Sequence, residues 1–257
     1  MRAAGVQAAR PAGAGRHLCW AYADRAEFLA AARRFLAEGR AAGAALRLVG
    51  DDLPDIDGVP ASPLPDAYLT GGALDPAAQV EIWASATFAA LADGYTGLWV
   101  VGDVTPLVSP AFATYEHLID RFISRHPLYG LCAYDRHVVD PAVLADLACL
   151  HPVHNVPDVP FRLHAAAGTG QLSISGELDA TGAAALARAL DRVAPAVVDG
   201  ELVVEAGSLD FVDHRSLLQL ASYARDRGAT AVLRTPLPAA ARLVDLLRVP
   251  NIRVEAR

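Results

Sequence analysis

The sequence predicts an α/β protein in two parts. The first is an N-terminal, mainly parallel sheet with helices on both faces; the second is a smaller mixed sheet backed by helices. Three observations carry this. Short apolar runs such as Leu46–Val49 and Gly97–Asp103 alternate with longer stretches whose apolar residues recur at helical spacing. An Asp or Ser, followed by Pro, opens several of the longer stretches: Asp75-Pro76, Ser109-Pro110 and Asp140-Pro141. The texture then changes after Pro157 and Pro160, where two runs alternate residue by residue across Ala167-Gly168-Thr169-Gly170.

Taken in order, residues 1–15 are rich in Ala, Gly and Arg and lack an apolar core, so a disordered tail is expected and not a signal peptide. His17–Tyr22 reads as a strand. Asp24 and Glu27 are spaced as a capping box for a helix carrying Phe28, Ala32, Phe35 and Leu36, ended by Gly39 or Gly43. Leu46–Val49 is a second strand, residues 51–65 a loop rich in Asp and Pro, and Tyr68-Leu69-Thr70 a short strand. A helix from Pro76 to about Gly94, a strand to Asp103, a helix through Phe112, Tyr115, Ile119 and Phe122, a strand over Leu128–Tyr134 and a helix over Val143–Leu150 follow. His151-Pro152 stops that helix, and residues 153–160 read as a linker.

From Phe161 the order is strand, strand, helix, strand, helix, strand, helix, with Asn251–Glu255 able to add a last strand. Leu186, Leu190 and Val193 mark the first of these helices; Leu243, Leu246 and Leu247 mark the last. Between them, Leu202–Glu205 reads as the buried strand and Ser208–Leu220 as a strand running into a helix, with Asp213 at the helix start.

The chain has 257 residues and is 53% apolar, which is enough for two ordinary cores. A net charge of −7 argues against a nucleic-acid surface. There is no Lys, which excludes a P-loop Lys and a Schiff-base Lys on this chain. Three widely spaced cysteines, Cys19, Cys132 and Cys149, do not make a disulfide framework, so a reducing cytoplasm is expected. No window reaches the apolar length of a membrane span.

His17 and Cys19 share one face of their strand, and Cys132 lies on another strand. They could gather around a small ligand or a metal, or Cys19 and Cys132 could be small core residues. With no Cys-x-x-Cys or His-x-x-x-His clamp, neither a metal nor another cofactor is expected. Asp51, Asp52, Asp103, Asp135 and Arg136 follow strands, where either a ligand edge or simple turn capping would place them. His151 and His154 are expected to be solvated linker residues.

Two resemblances add to this. Residues 16–152 resemble the MEDS family, named for the sensory domain of a dichloromethane-responsive regulator. The shared features are His17-Leu18-Cys19 with Tyr22, Gly94-Tyr95 leading to Gly102-Asp103, Tyr115-Glu116, Leu131–Asp135 and the closing His151-Pro152. Trp99 and Pro106 depart from that pattern, which usually has an Arg and an aromatic residue there. The resemblance implies a RecA/KaiC-like fold without a nucleotide loop and a small, hydrocarbon-derived ligand. It adds Tyr22, Glu116 and Tyr134 to His17, Cys19, Asp103 and Cys132 as pocket residues.

Residues 161–257 resemble the STAS domain of anti-sigma-factor antagonists, whose signature is an apolar strand, Asp, Ser, Ser, Gly and an apolar helix. Asp213 matches; His214 and Arg215 replace the two Ser, the second of which is the phosphoacceptor, and Ser216 replaces the Gly. The resemblance implies a partner of anti-sigma-factor type docking near Asp179, Asp213, His214, Arg215 and Ser216, without the phosphorylation switch. A second copy of the chain is a further partner to consider. The expected protein is thus a non-enzymatic signalling module; the alternative is an enzyme, or a nucleotide- or metal-binding protein, acting through the first part.

Overall fold

The structure, a computed structural model, describes residues 16–68, 73–166, 169 and 171–256. The expected tail, the tip of the turn at 167, 168 and 170, and positions 69 and 70 of an expected strand lie outside these residues.

The first part runs β1 (His17–Tyr22), α1 (Arg25–Ala41), β2 (Ala45–Val49), β3 (Ala61–Ser62), α2 (Leu64–Tyr68), α3 (Pro76–Ala92), β4 (Leu98–Asp103), α4 (Pro110–Ile123), β5 (Leu128–Asp135), α5 (Pro141–Cys149) and β6 (Val153–His154). The strands form one six-stranded sheet in the order β3-β2-β4-β5-β1-β6, and every pairing is parallel. The helix starts follow their caps. Asp24 accepts the Glu27 N–H at 2.9 Å, while Glu27 reaches back to the Ala23 N–H at 2.8 Å. Asp75, Ser109 and Asp140 each accept an N–H from the first turn of α3, α4 and α5, with Pro as the first helical residue.

Two expectations fail here. Tyr68 closes helix α2 and does not begin a strand, and the loop at 51–65 contains β3. The Asp51 side chain accepts the Leu64 N–H at 3.0 Å at the start of α2. The expected linker also opens with a strand: Val153 and His154 pair with Leu18 and Cys19. The Asn155 side chain then clamps the Ala21 backbone, accepting its N–H at 2.7 Å and donating to its carbonyl at 2.8 Å.

Alternation along the strands divides the first sheet's two faces. Leu18, Leu48, Val101 and Leu131 face α1, whose Phe28, Phe35 and Leu36 cover them. Cys19, Val100, Cys132 and Tyr134 face the other way, under α3, α4 and α5. That second core is continuous with Phe161 and Leu163 of the second part, so the two parts share buried surface.

The second part runs β7 (Phe161–Ala165), β8 (Leu172–Leu178), α6 (Ala183–Val193), β9 (Glu201–Val212), α7 (His214–Arg225), β10 (Thr230–Arg234), α8 (Pro238–Leu247) and β11 (Ile252–Glu255). The sheet order is β11-β10-β9-β8-β7, and only β7 and β8 are antiparallel. Strand β9 is longer than Leu202–Glu205 because Ser208–Val212 continues the ladder with β8 past two register shifts. At the second shift Gly176 has φ +90°, and a Cβ there would lie 2.6 Å from the Pro160 carbonyl oxygen. Asp213 caps α7 by accepting the Ser216 N–H at 2.7 Å. The apolar stripe expected on α8 is not fully buried: Leu246 is 80% exposed, and Ala240 is the buried residue of that helix.

Several polar contacts tie the parts together. Arg188 and Arg192 of α6 bond to Asp146 of α5 at 2.9 and 3.0 Å. Arg162 donates to the Pro152 carbonyl at 3.3 Å. Asp120 of α4 accepts the Ala165 N–H of β7 at 2.5 Å. Among the described residues no helix is long and apolar enough to cross a membrane.

Candidate functional site

The first sheet's second face carries a group of charged and thiol side chains where an apolar core is expected. His17 begins β1 and is 1% exposed. Its neighbour in register on β5 is Gly130, and a Cβ there would come within 3.3 Å of the His17 ring. The missing side chain makes room for the imidazole. Two residues along β5, Cys132 points to the same face, and Tyr134 follows it. Glu116 and Asp120 stand one turn apart on α4, and both aim at the sheet and not at solvent. His151 arrives from the end of α5, where its Nδ1 lies 2.8 Å from the Leu147 carbonyl oxygen.

Glu116 is the hub. Its Oε2 lies 3.0 Å from His17 Nε2, 3.4 Å from His151 Nε2 and 3.5 Å from Cys132 Sγ. Its Oε1 accepts the Tyr134 hydroxyl at 2.7 Å. His17 Nδ1 lies 3.1 Å from Asp120 Oδ1. Burial works against a charge on Glu116, but His151 and His17 outweigh it and hold the carboxyl well below the usual carboxylate range. Burial likewise opposes a charged His17, and is outweighed by Asp120, Cys132 and Glu116, which raise its pKa. Asp120 is lowered because its bond to His17 overcomes burial. Burial, then the Glu116 charge, push the Cys132 thiol up to about 12. These directions favour charged carboxylates, a protonated His17 and a neutral Cys132 thiol.

His151 is the exception. A carbonyl only accepts, so Nδ1 must carry a proton. Its buried Nε2 lies 3.4 Å from Glu116 Oε2 and makes no well-formed hydrogen bond among the described residues. A small cavity of about 20 Å³ adjoins the cluster, lined in part by His17, Cys132, Tyr68, Trp83, Tyr115 and Gly102. The Trp83 indole N–H is buried and also lacks a partner among the described residues.

Of the residues expected at a ligand site, His17, Glu116, Cys132 and Tyr134 come together. Cys19 is buried beside Cys132 in register but stands outside the group. Tyr22 and Asp103 lie elsewhere. Tyr22 packs on Phe28 on the α1 face, because it is an odd number of residues from His17, and it donates to Asp103 at 2.8 Å. Asp103 also accepts the Thr105 hydroxyl, and Asp135 accepts the His137 N–H, so both act in turns. Arg136 lies 4.0 Å from Glu27, and the Asp52 carbonyl takes a bond from Arg25.

His151 corrects the sequence expectation: it is fully buried in the cluster, not a solvated linker residue, because β6 docks the following chain against β1. His154 is half-buried, with Nδ1 against the Val156 carbonyl. Asp120 was not singled out by sequence; its spacing of four from Glu116 on one helix is the signal that marks it.

In the second part, Asp179 holds the turn before α6 by accepting the Thr181 and Gly182 N–H groups. His214 and Arg215 are exposed in the first turn of α7, and Arg215 makes no ion pair among the described residues. Ser216 is buried, its N–H on Asp213 and its hydroxyl without a partner among the described residues.

Comparison with known proteins agrees with the first part. The model of the MEDS family, described as the MEthanogen/methylotroph, DcmR Sensory domain, matches residues 16–152. No curated protein and no solved structure matches the chain. The matched stretch is more than half of the 257 residues and holds the whole buried cluster, and the chain belongs to the MEDS family.

Proposed function

We propose that the chain is a signalling protein whose first part senses a small, hydrocarbon-derived molecule and whose second part docks a protein partner. The buried cluster opening on a cavity is the observation that carries this. A protein core without function has no reason to hold two carboxylates, two imidazoles and a thiol together, since burying charge is costly. The cavity's roughly 20 Å³ is about the room of one water molecule, so an occupant has few heavy atoms unless the walls move. Aromatic walls suit an apolar body, and the free Trp83 N–H offers one donor.

Asp120 supports a route for the signal. One of its oxygens meets His17 and the other accepts the Ala165 N–H of β7. A change at His17 therefore bears on the edge strand of the second sheet.

The second part is read as a STAS-type module for a partner of anti-sigma-factor type, from its strand and helix order and from Asp213 at the start of α7. Arg215 stands where that family carries its phosphoacceptor, and the Ser216 hydroxyl is buried. The exposed His214 and Arg215 present a lasting positive or neutral surface to a partner's carboxylates. We expect a partner kinase to leave the chain unmodified; incorporation of labelled phosphate at Ser216 contradicts this. A second copy of the chain remains a competing occupant of that surface.

The sensing half is tested by titrating the full chain with methanol, acetaldehyde and dichloromethane while following tryptophan fluorescence. A saturable change that disappears in Trp83→Phe is expected for at least one of them. Linear, variant-independent quenching by all three speaks against the reading. An enzyme acting through the same cluster is the second reading, favoured by the perturbed Glu116 and His17; turnover of any of these probes would support it.

A further inference from the structure

We infer that His17 Nε2, Glu116 Oε2, Cys132 Sγ and His151 Nε2 together bind one divalent transition-metal ion of the zinc class. These four atoms lie within 4.8 Å of one another, all on buried residues. The site does not depend on what the protein senses or docks.

Spacing is the first argument. A tetrahedral ion with nitrogen and oxygen at about 2.0 Å and sulfur at about 2.3 Å sets its ligands about 3.3 Å apart, or about 3.5 Å where sulfur is one of them. The nitrogen–oxygen separations here are 3.0 and 3.4 Å. Those to sulfur are 3.5 and 3.6 Å. Four of the six separations thus match such a site, and the other two lie within 4.8 Å.

His151 is the second and independent argument. Its Nδ1 proton is used on the Leu147 carbonyl, and its buried Nε2 faces the Glu116 carboxylate at 3.4 Å without a well-formed hydrogen bond among the described residues. A cation between that lone pair and the carboxylate satisfies both.

The outer contacts are those that metal ligands use. Asp120 holds His17 through Nδ1, the Leu147 carbonyl holds His151 through Nδ1, and the Tyr134 hydroxyl holds Glu116 through Oε1. Each leaves the opposite atom pointing inward, toward the other ligands. Two imidazoles, a thiol and one carboxylate suit zinc-class ions and not magnesium or calcium. Cys132 binds as its thiolate and His17 gives up its Nε2 proton, both protons passing to solvent, so Glu116 and Cys132 together balance the ion's two charges. Because His17 and Cys132 also line the cavity, the ion faces whatever enters it.

The full chain, expressed with zinc in the medium and desalted, is expected to carry one equivalent of zinc by elemental mass spectrometry. After chelation, cobalt(II) alone is expected to produce a thiolate-to-cobalt charge-transfer band and the intense visible bands of tetrahedral cobalt. Cys132→Ser should abolish the charge-transfer band, and His151→Ala should weaken cobalt binding by more than the ~10–100-fold typical of losing an outer contact. Cys19→Ser and Cys149→Ser should leave band and stoichiometry unchanged. Folded wild-type protein that holds no zinc and gives no thiolate–cobalt band overturns the proposal, whatever the variants do. A band that survives Cys132→Ser but vanishes in Cys149→Ser places the ion elsewhere and overturns it equally.

Discussion

Tyr134 is wholly buried and spends its hydroxyl on Glu116. Tyr134→Phe removes a bond to a charged acceptor and keeps the ring, so a loss of about 1.5–3 kcal/mol is expected in urea unfolding. A loss under about 0.5 kcal/mol would mean that the carboxylate finds another donor at once. The thiols make a second prediction at this scale. Cys19, Cys132 and Cys149 are all buried, and burial first of all pushes Cys132 and Cys149 up to about 12. All three are shielded from solvent, so a thiol reagent should find no reactive cysteine in native protein and all three in urea. The sequence made His17, Cys132, Glu116 and Tyr134 visible, the last two through family resemblance. It hid His151, because a His before Pro at a helix end has the local look of exposed chain. Only the docking of β6 against β1 buries it, and that pairing joins residues more than a hundred positions apart.

Helix caps were the most legible elements. Asp24, Asp75, Ser109, Asp140 and Asp213 all accept the N–H groups that their positions imply. Asp213→Ala is expected to cost about 1 kcal/mol, measured by thermal or urea unfolding. Short elements were illegible: β3 and β6 have two residues each and α2 five, too few to show a period. Bulges were equally hidden, since a register shift is a relation between two strands. Gly176 marks one. Gly176→Ala meets both a positive φ and the Pro160 carbonyl, so it should destabilise the protein well beyond the ~1 kcal/mol of an ordinary glycine-to-alanine change. Wild-type stability in that variant would show that β8 can straighten freely.

Over the whole molecule, the two parts are joined by a shared core and by Asp146 and Asp120. Burial alone would raise the Asp146 carboxyl, but Arg188 and Arg192 outweigh it and lower its pKa. Its contribution is present above the ordinary carboxylate range and is lost as pH falls through that lowered value. His154, at the seam, is pushed down to about 4 by burial and then by Arg162. The unfolded chain takes that proton near pH 6.5, so His154 supports folding above that pH and loses this support as pH falls toward 4. Urea midpoints should therefore fall between pH 7 and pH 5, and fall less in His154→Asn. The seam itself was not legible in sequence, because Asp120 and Ala165 bear no local sign of their bond.

The most direct test of coupling between the buried cluster and the second sheet is amide hydrogen exchange in the full chain, comparing wild type with His17→Asn. Faster exchange at Phe161–Ala165 is predicted, because Asp120 loses the group that fixes its other oxygen. Change confined to β1, α4 and α5, with β7 protected as in wild type, would contradict the account.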